Sequence, residues 1–337
     1  MEYICALAII SFILLVLSNH LVSLFIALYR VPQNLPPRWY LSAWYHTTYT
    51  VITLRGEPLF IYFLFIVVCI FASFAWIAKR DGKNAISTLK AALRLKDPTS
   101  LNKDNSLILL FRLLLAYFFF FVVYWNIVFF LGYDFSPSPN RNLFSSDDLF
   151  GLADSAVYEE LFFRMSLIGV PLFIVAVIQF VARQRKRLPA PHRFFLGGGS
   201  HFGALPLFFL VVSSLNFAYA HVRLSPQEPA MLLFLPTLLA GLILGYLFLE
   251  KGIHTAVIFH FCVNYMIVLS YADYAGLVPE LVALIFLPLS LGAMILVCVF
   301  GAVAGPFYFL LYSKAILLFI KTGAQEAGLL RGKDRDE

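Results

Sequence analysis

Charge is scarce in this sequence. Of its 337 residues, 13% are Asp, Glu, Lys or Arg, against 61% hydrophobic, whereas a soluble domain carries roughly 25% charged residues. With a mean hydropathy of +0.84, the chain has too little polar surface to cover its apolar content in water, which excludes an ordinary soluble domain. Cysteine is also sparse. Cys5, Cys69, Cys262 and Cys298 sit apart in apolar runs with no CxxC pair, which argues against a zinc ribbon or a disulfide framework. No HExxH, GxGD or GxSxG motif occurs, which disfavours site-2-type zinc, presenilin-like aspartyl and nucleophile-elbow serine chemistry. No internal repeat stands out, so the paired broken helices of a transporter are not expected. Met1-Glu2-Tyr3 runs straight into apolar sequence without a basic n-region, so the first span is expected to be a retained helix.

Long apolar runs are abundant. About 20 apolar residues cross a bilayer as a helix. Candidate spans fall at 3–29, 57–78, 107–132, 150–182, 203–221, 230–250, 253–272 and 279–300. The expected fold is all-α: a polytopic bundle of about eight transmembrane helices in a single membrane domain, 1–337. Gly169 and Pro171 are expected to bend or divide the fourth span, and Gly301, Gly305 and Pro306 to interrupt the last. Residues 307–320 then form a ninth span or an interfacial helix. The segment 40–54 is expected as an interfacial helix, and Gly197-Gly198-Gly199-Ser200 as a flexible connector.

The net charge is +6, and Lys and Arg cluster in three places, the 79–106 and 183–202 connections and the 321–337 tail. This is the positive-inside pattern and implies no nucleic acid. Eight crossings put all three on the cytoplasmic side with both termini. The expected localisation is therefore an integral membrane protein of a prokaryotic inner membrane or the ER.

Ionisable side chains at membrane depth are costly, so each is a candidate for function. Three groups stand out. In Glu159-Glu160-Leu161-Phe162-Phe163-Arg164, Glu160 and Arg164 are i and i+4 and pair on one helix face, while Glu159 points elsewhere. Phe217-Ala218-Tyr219-Ala220-His221 places a histidine at the end of the fifth span. His260-Phe261-Cys262-Val263-Asn264 places His260 and Asn264 on one face of the seventh, with Cys262 turned away. Converged, these groups suit hydrolysis of an amide. Glu159 serves as general base and His221 shares the water or passes its proton to the leaving amine. His260 and Asn264 donate to the oxyanion. The alternative is a buried polar network that holds helices together.

The ordered set EExxxR, FxxxH and HxxxN, with Ala240-Gly241-Leu242-Ile243-Leu244-Gly245-Tyr246 leading to the last, resembles the CPBP family of CaaX prenyl proteases and bacteriocin-processing (Abi) enzymes. The resemblance covers about 150–270, the expected catalytic core. It implies an eight-helix intramembrane endopeptidase acting near the C-terminus of a prenylated or membrane-proximal peptide, with the lipid bilayer and that substrate as partners. Glu159, His221, His260 and Asn264 are then catalytic, and Glu160, Arg164 and Phe217 support them. Two schemes remain open: no cofactor, or a single Zn held by Glu159, His221 and His260 with Glu160 as base. Asn264 suits an oxyanion donor better than a zinc ligand, which favours the metal-free scheme. The non-enzymatic alternative is a membrane scaffold, immunity or regulatory protein on the same fold.

Overall fold

A computed structural model describes residues 2–29, 39–42, 50–93, 105–133, 146–182, 190–198, 203–224, 230–269 and 295–314. The expected tail at 321–337, and the start of the span placed at 279–300, lie outside them.

The chain is an all-α polytopic membrane bundle. Helix α1 spans Glu2–Tyr29, α2 Gly56–Leu93, α3 Ser106–Phe130 and α4 Ser146–Glu159. A π-helical segment, Glu160–Gly169, carries α4 into α5, Val170–Val181. The short α6 is His192–Phe195, and α7 is Ala204–Leu224. A single 3-10 turn leads into α8, Phe234–Lys251, followed by α9, Ile253–Leu269, and α10, Ile295–Lys314. Among the described residues, six segments are long and apolar enough to cross a membrane, and α1 and α9 contribute shorter apolar stretches, Tyr3–Val16 and Ile253–Asn264.

The structure revises several boundaries. Helix α2 does not end near residue 78. It runs to Leu93 because Ala85, Thr88, Leu89 and Ala92 pack inward along its basic half. Its 38 residues measure about 57 Å at 1.5 Å per residue, well beyond the ~30 Å hydrocarbon core. Residues 40–54 hold no helix among those described. Trp39–Ser42 and Thr50–Leu54 pair as antiparallel strands, consistent with the β-branched run Thr50-Val51-Ile52-Thr53. The last helix passes straight through Gly301, Gly305 and Pro306. Gly305 serves close packing instead, since a Cβ there would lie 2.7 Å from the Phe119 Cβ of α3.

The glycine connector is likewise a clamp. Gly197 and Gly198 adopt φ of 67° and 84°, values that glycine reaches without a steric cost. Gly198 N–H donates to the Phe248 carbonyl at 3.0 Å, and Ile253 N–H to the Leu196 carbonyl at 2.7 Å. A Cβ on Gly197 would fall 2.2 Å from the Phe248 oxygen. Residues 196–198 are thus sewn onto the α8–α9 corner, which itself turns at Gly252 with φ 99°.

Helix α9 lies at the centre, touching α1, α2, α3, α4, α8 and the π segment. Ala256 to Val263 are all buried, as expected of a helix apolar all round. Helices α7 and α8 approach closely where Gly241 meets Ser214 and Gly245 meets Leu210, the small-residue contact typical of membrane helices. These contacts bring the three polar motifs, on α4 and its π extension, α7 and α9, to one place.

Candidate active site

The site is built around the junction where α4 becomes π-helical. Glu159 is the last α-helical residue and Glu160 the first of the wider turn, which closes when Val170 N–H reaches back to the Met165 carbonyl. Such a segment commonly marks a functional site. Here it sends adjacent carboxylates in different directions. Ser213 of α7, fully buried, donates to the Phe163 carbonyl at 2.6 Å and ties the π segment to the helix that carries His221.

Glu160 faces inward and is completely buried, as is Arg164. Arg164 Nε lies 3.2 Å from Glu160 Oε2, the i,i+4 pair expected from sequence. The carboxylate has a second partner that the sequence did not suggest: Glu160 Oε1 is 2.8 Å from His260 Nδ1. A carboxylate paired with arginine only accepts, so Nδ1 carries a hydrogen and Nε2 is turned toward Glu159.

The same logic applies to His221. Its Nδ1 lies 2.9 Å from the Phe217 carbonyl, a group that only accepts. Nδ1 therefore carries a hydrogen, and Nε2 is the nitrogen left facing the site. Both Nε2 atoms converge on Glu159, with Oε2 3.7 Å from His221 Nε2 and 3.8 Å from His260 Nε2. Both distances exceed a direct hydrogen bond. Glu159 and His260 are buried, while the His221 side chain keeps 30% of its surface accessible.

Phe217 packs against this whole group. Its ring centroid is 4.4 Å from that of His221 and 5.7 Å from that of His260, and the Arg164 guanidinium sits 4.7 Å from its face. The ring also meets Phe163 edge-on at 5.2 Å.

Asn264 lies on the same face of α9 as His260, but its amide is directed to α4. Nδ2 donates to the Leu152 carbonyl at 3.2 Å and to Ser155 Oγ at 2.8 Å. Because a carbonyl cannot donate, the amide nitrogen must be the atom facing Leu152, which fixes the amide orientation. Sequence reasoning missed Ser155 and Ser213. Ser155 is four residues before Glu159 and Ser213 four before Phe217, so helical spacing puts them on the relevant faces, but serine is too common for spacing alone to single them out.

For zinc, Glu159, His221 and His260 have suitable donor chemistry. Among the described residues no group of three His, Cys, Asp or Glu that could hold a metal ion is found. Cys262 is buried away from the site, and His254 packs on Trp76 at 5.6 Å instead.

No curated protein and no solved structure matches the chain. A family model does: residues 149–266 match that of the type II CAAX prenyl endopeptidase Rce1-like family, a family of membrane endopeptidases. This interval begins just before the buried face of α4 and ends just past Asn264, so the match takes in every residue of the site and agrees with the resemblance to the CPBP family.

Proposed function

We propose that the protein hydrolyses a peptide bond near the C-terminus of a lipidated or membrane-proximal substrate, using water activated by Glu159 and His221 and no metal. The observation that carries this reading is the placement of Glu159 Oε2 at 3.7 and 3.8 Å from the Nε2 atoms of two imidazoles. A water molecule spans gaps of this size. Its oxygen attacks the scissile carbonyl carbon as one proton passes to Glu159. The C–N bond of the resulting tetrahedral adduct then breaks, and the proton is delivered through His221 to the departing nitrogen. The products are a carboxyl terminus and an amine. Exclusion of bulk water around buried Glu159 and His260 strengthens each electrostatic contact in the site.

Glu160 and Arg164 serve this chemistry indirectly. Together they form a neutral pair that fixes the His260 tautomer, so His260 Nε2 stays directed at the reacting water. On this reading the basic segments face the cytoplasm.

The test is cleavage by the detergent-purified protein of a mixed pool of farnesylated, geranylgeranylated and unlipidated C-terminal peptides, read by mass spectrometry beside Glu159→Gln. Cleavage by the wild type alone is expected, and it is expected to survive a zinc chelator. Equal products from both proteins would remove Glu159 from the mechanism. Cleavage lost to the chelator and restored by zinc would replace the metal-free scheme. A scaffold would cleave nothing.

A further inference from the structure

Resting on this hydrolytic reading, we infer that Ser155 is a latch on Asn264, occupying in the resting state the amide hydrogen that stabilises the oxyanion during turnover. The starting point is a shortage of donors. Hydrolysis generates negative charge on the carbonyl oxygen, which must meet preorganised N–H or O–H groups. Of the four side chains grouped at the site, each N–H with a partner within hydrogen-bond distance is already engaged. Glu159 as a carboxylate accepts. His221 spends its ring hydrogen on the Phe217 carbonyl, and His260 spends its own on Glu160. Asn264 has two amide hydrogens, one committed to the Leu152 carbonyl and one to Ser155 Oγ.

The two Asn264 bonds differ in what holds them. Leu152 O is a fixed backbone group that also accepts from Ser155 Oγ at 3.1 Å. Ser155 Oγ–H therefore points at Leu152, and the Ser155 oxygen meets Asn264 with a lone pair. Ser155 is a side chain on a half-buried turn of α4, four residues before the general base, and Asn264 is itself half-buried. The Ser155 bond can be given up by a small rotation of the Asn264 amide while Leu152 retains the other hydrogen. The substrate oxyanion is a charged acceptor and a better partner than a neutral hydroxyl. Exchange of Ser155 for the oxyanion thus makes Asn264 a donor only when charge develops. Ser155 acts through Asn264 and is a positioning residue.

Such a latch costs catalysis about the net worth of one neutral hydrogen bond. Ser155→Ala removes the competing acceptor, so kcat should rise about two- to tenfold with little change in KM. Ser155→Thr, which keeps the hydroxyl, should behave as wild type. In an Asn264→Ala background the Ser155→Ala gain should vanish. The experiment measures kcat and KM for these variants on whichever peptide the wild type cleaves, with size-exclusion elution as the check on folding. If Ser155→Ala is unstable, Ser155→Cys, a weaker acceptor of similar bulk, should show a smaller gain of the same sign. A fall or no change in kcat for Ser155→Ala overturns the latch, as does the same change with and without Asn264. Glu159-dependent cleavage with no Ser155 effect overturns the latch alone, whereas absence of any Glu159-dependent cleavage removes the hydrolytic reading and the latch with it.

Discussion

Glu160→Gln separates the two halves of the site. Glu160 and Arg164 are both fully buried, 3.2 Å apart, with His260 Nδ1 on the other carboxylate oxygen. The substitution preserves shape and removes the charge that neutralises Arg164. Removing one member of a buried ion pair costs about 3–5 kcal/mol, because the remaining charge is left uncompensated. The introduced amide still offers one acceptor oxygen, so the lower end, about 3 kcal/mol, is expected. Adding Arg164→Met should restore most of the lost stability, since replacing both partners of a buried pair by groups of similar volume is often neutral. Activity should not return with it, because the introduced amide can present either its oxygen or its nitrogen to His260 and no longer fixes the imidazole tautomer. Thermal denaturation in detergent and peptide cleavage, run on the single and double variants, give the two readings. Full stability of Glu160→Gln alone, or recovery of activity in the double variant, would refute the reasoning.

Three further outcomes follow from the same geometry. Phe217→Ala removes the ring that touches both imidazoles and Arg164; a loss of about 3–5 kcal/mol is expected from the cavity, together with loss of cleavage, whereas Phe217→Leu should recover part of the stability. Gly197→Ala forces a Cβ to 2.2 Å from the Phe248 carbonyl at φ 67°, so a fall of at least about 1–3 kcal/mol from backbone strain is expected. Gly203→Ala, with open space around it, should leave the melting temperature unchanged. Ser213→Ala removes the 2.6 Å bond to the Phe163 carbonyl and should cost about 0.5–1.5 kcal/mol, the net worth of one hydrogen bond; a melting temperature equal to wild type would show that the π segment does not depend on it.

The apolar runs alone were enough to indicate a helical membrane bundle, because lipid leaves the backbone few other choices. The i,i+4 rule also anticipated the Glu160–Arg164 pair and the divergence of Glu159. Boundaries were less legible where tertiary contacts override local signals. Lys79 to Lys90 read as a loop, but inward packing of Ala85 and Leu89 continues α2 through them. Gly197 and Gly198 read as freedom and are instead the two residues able to lie against α8. Proline at 306 read as a break, while the helix around it is retained. Within the site, residue types were legible and directions were not. Nothing in the local sequence says that α4 unwinds to a π-helix at Glu160, that Glu160 reaches a histidine a hundred residues away, or that Asn264 turns its amide to Leu152 and Ser155. Those features depend on the contacts among α4, α7 and α9.

On the proposed reading, Glu159 activates water for peptide hydrolysis. The most direct measurement is cleavage of a C-terminal peptide in oxygen-18 water, with the new carboxyl terminus read by mass spectrometry for wild type and Glu159→Gln at matched amounts of folded protein. A singly labelled carboxyl terminus is expected from the wild type and none above background from the variant. Labelled product formed at the same rate by both would contradict it.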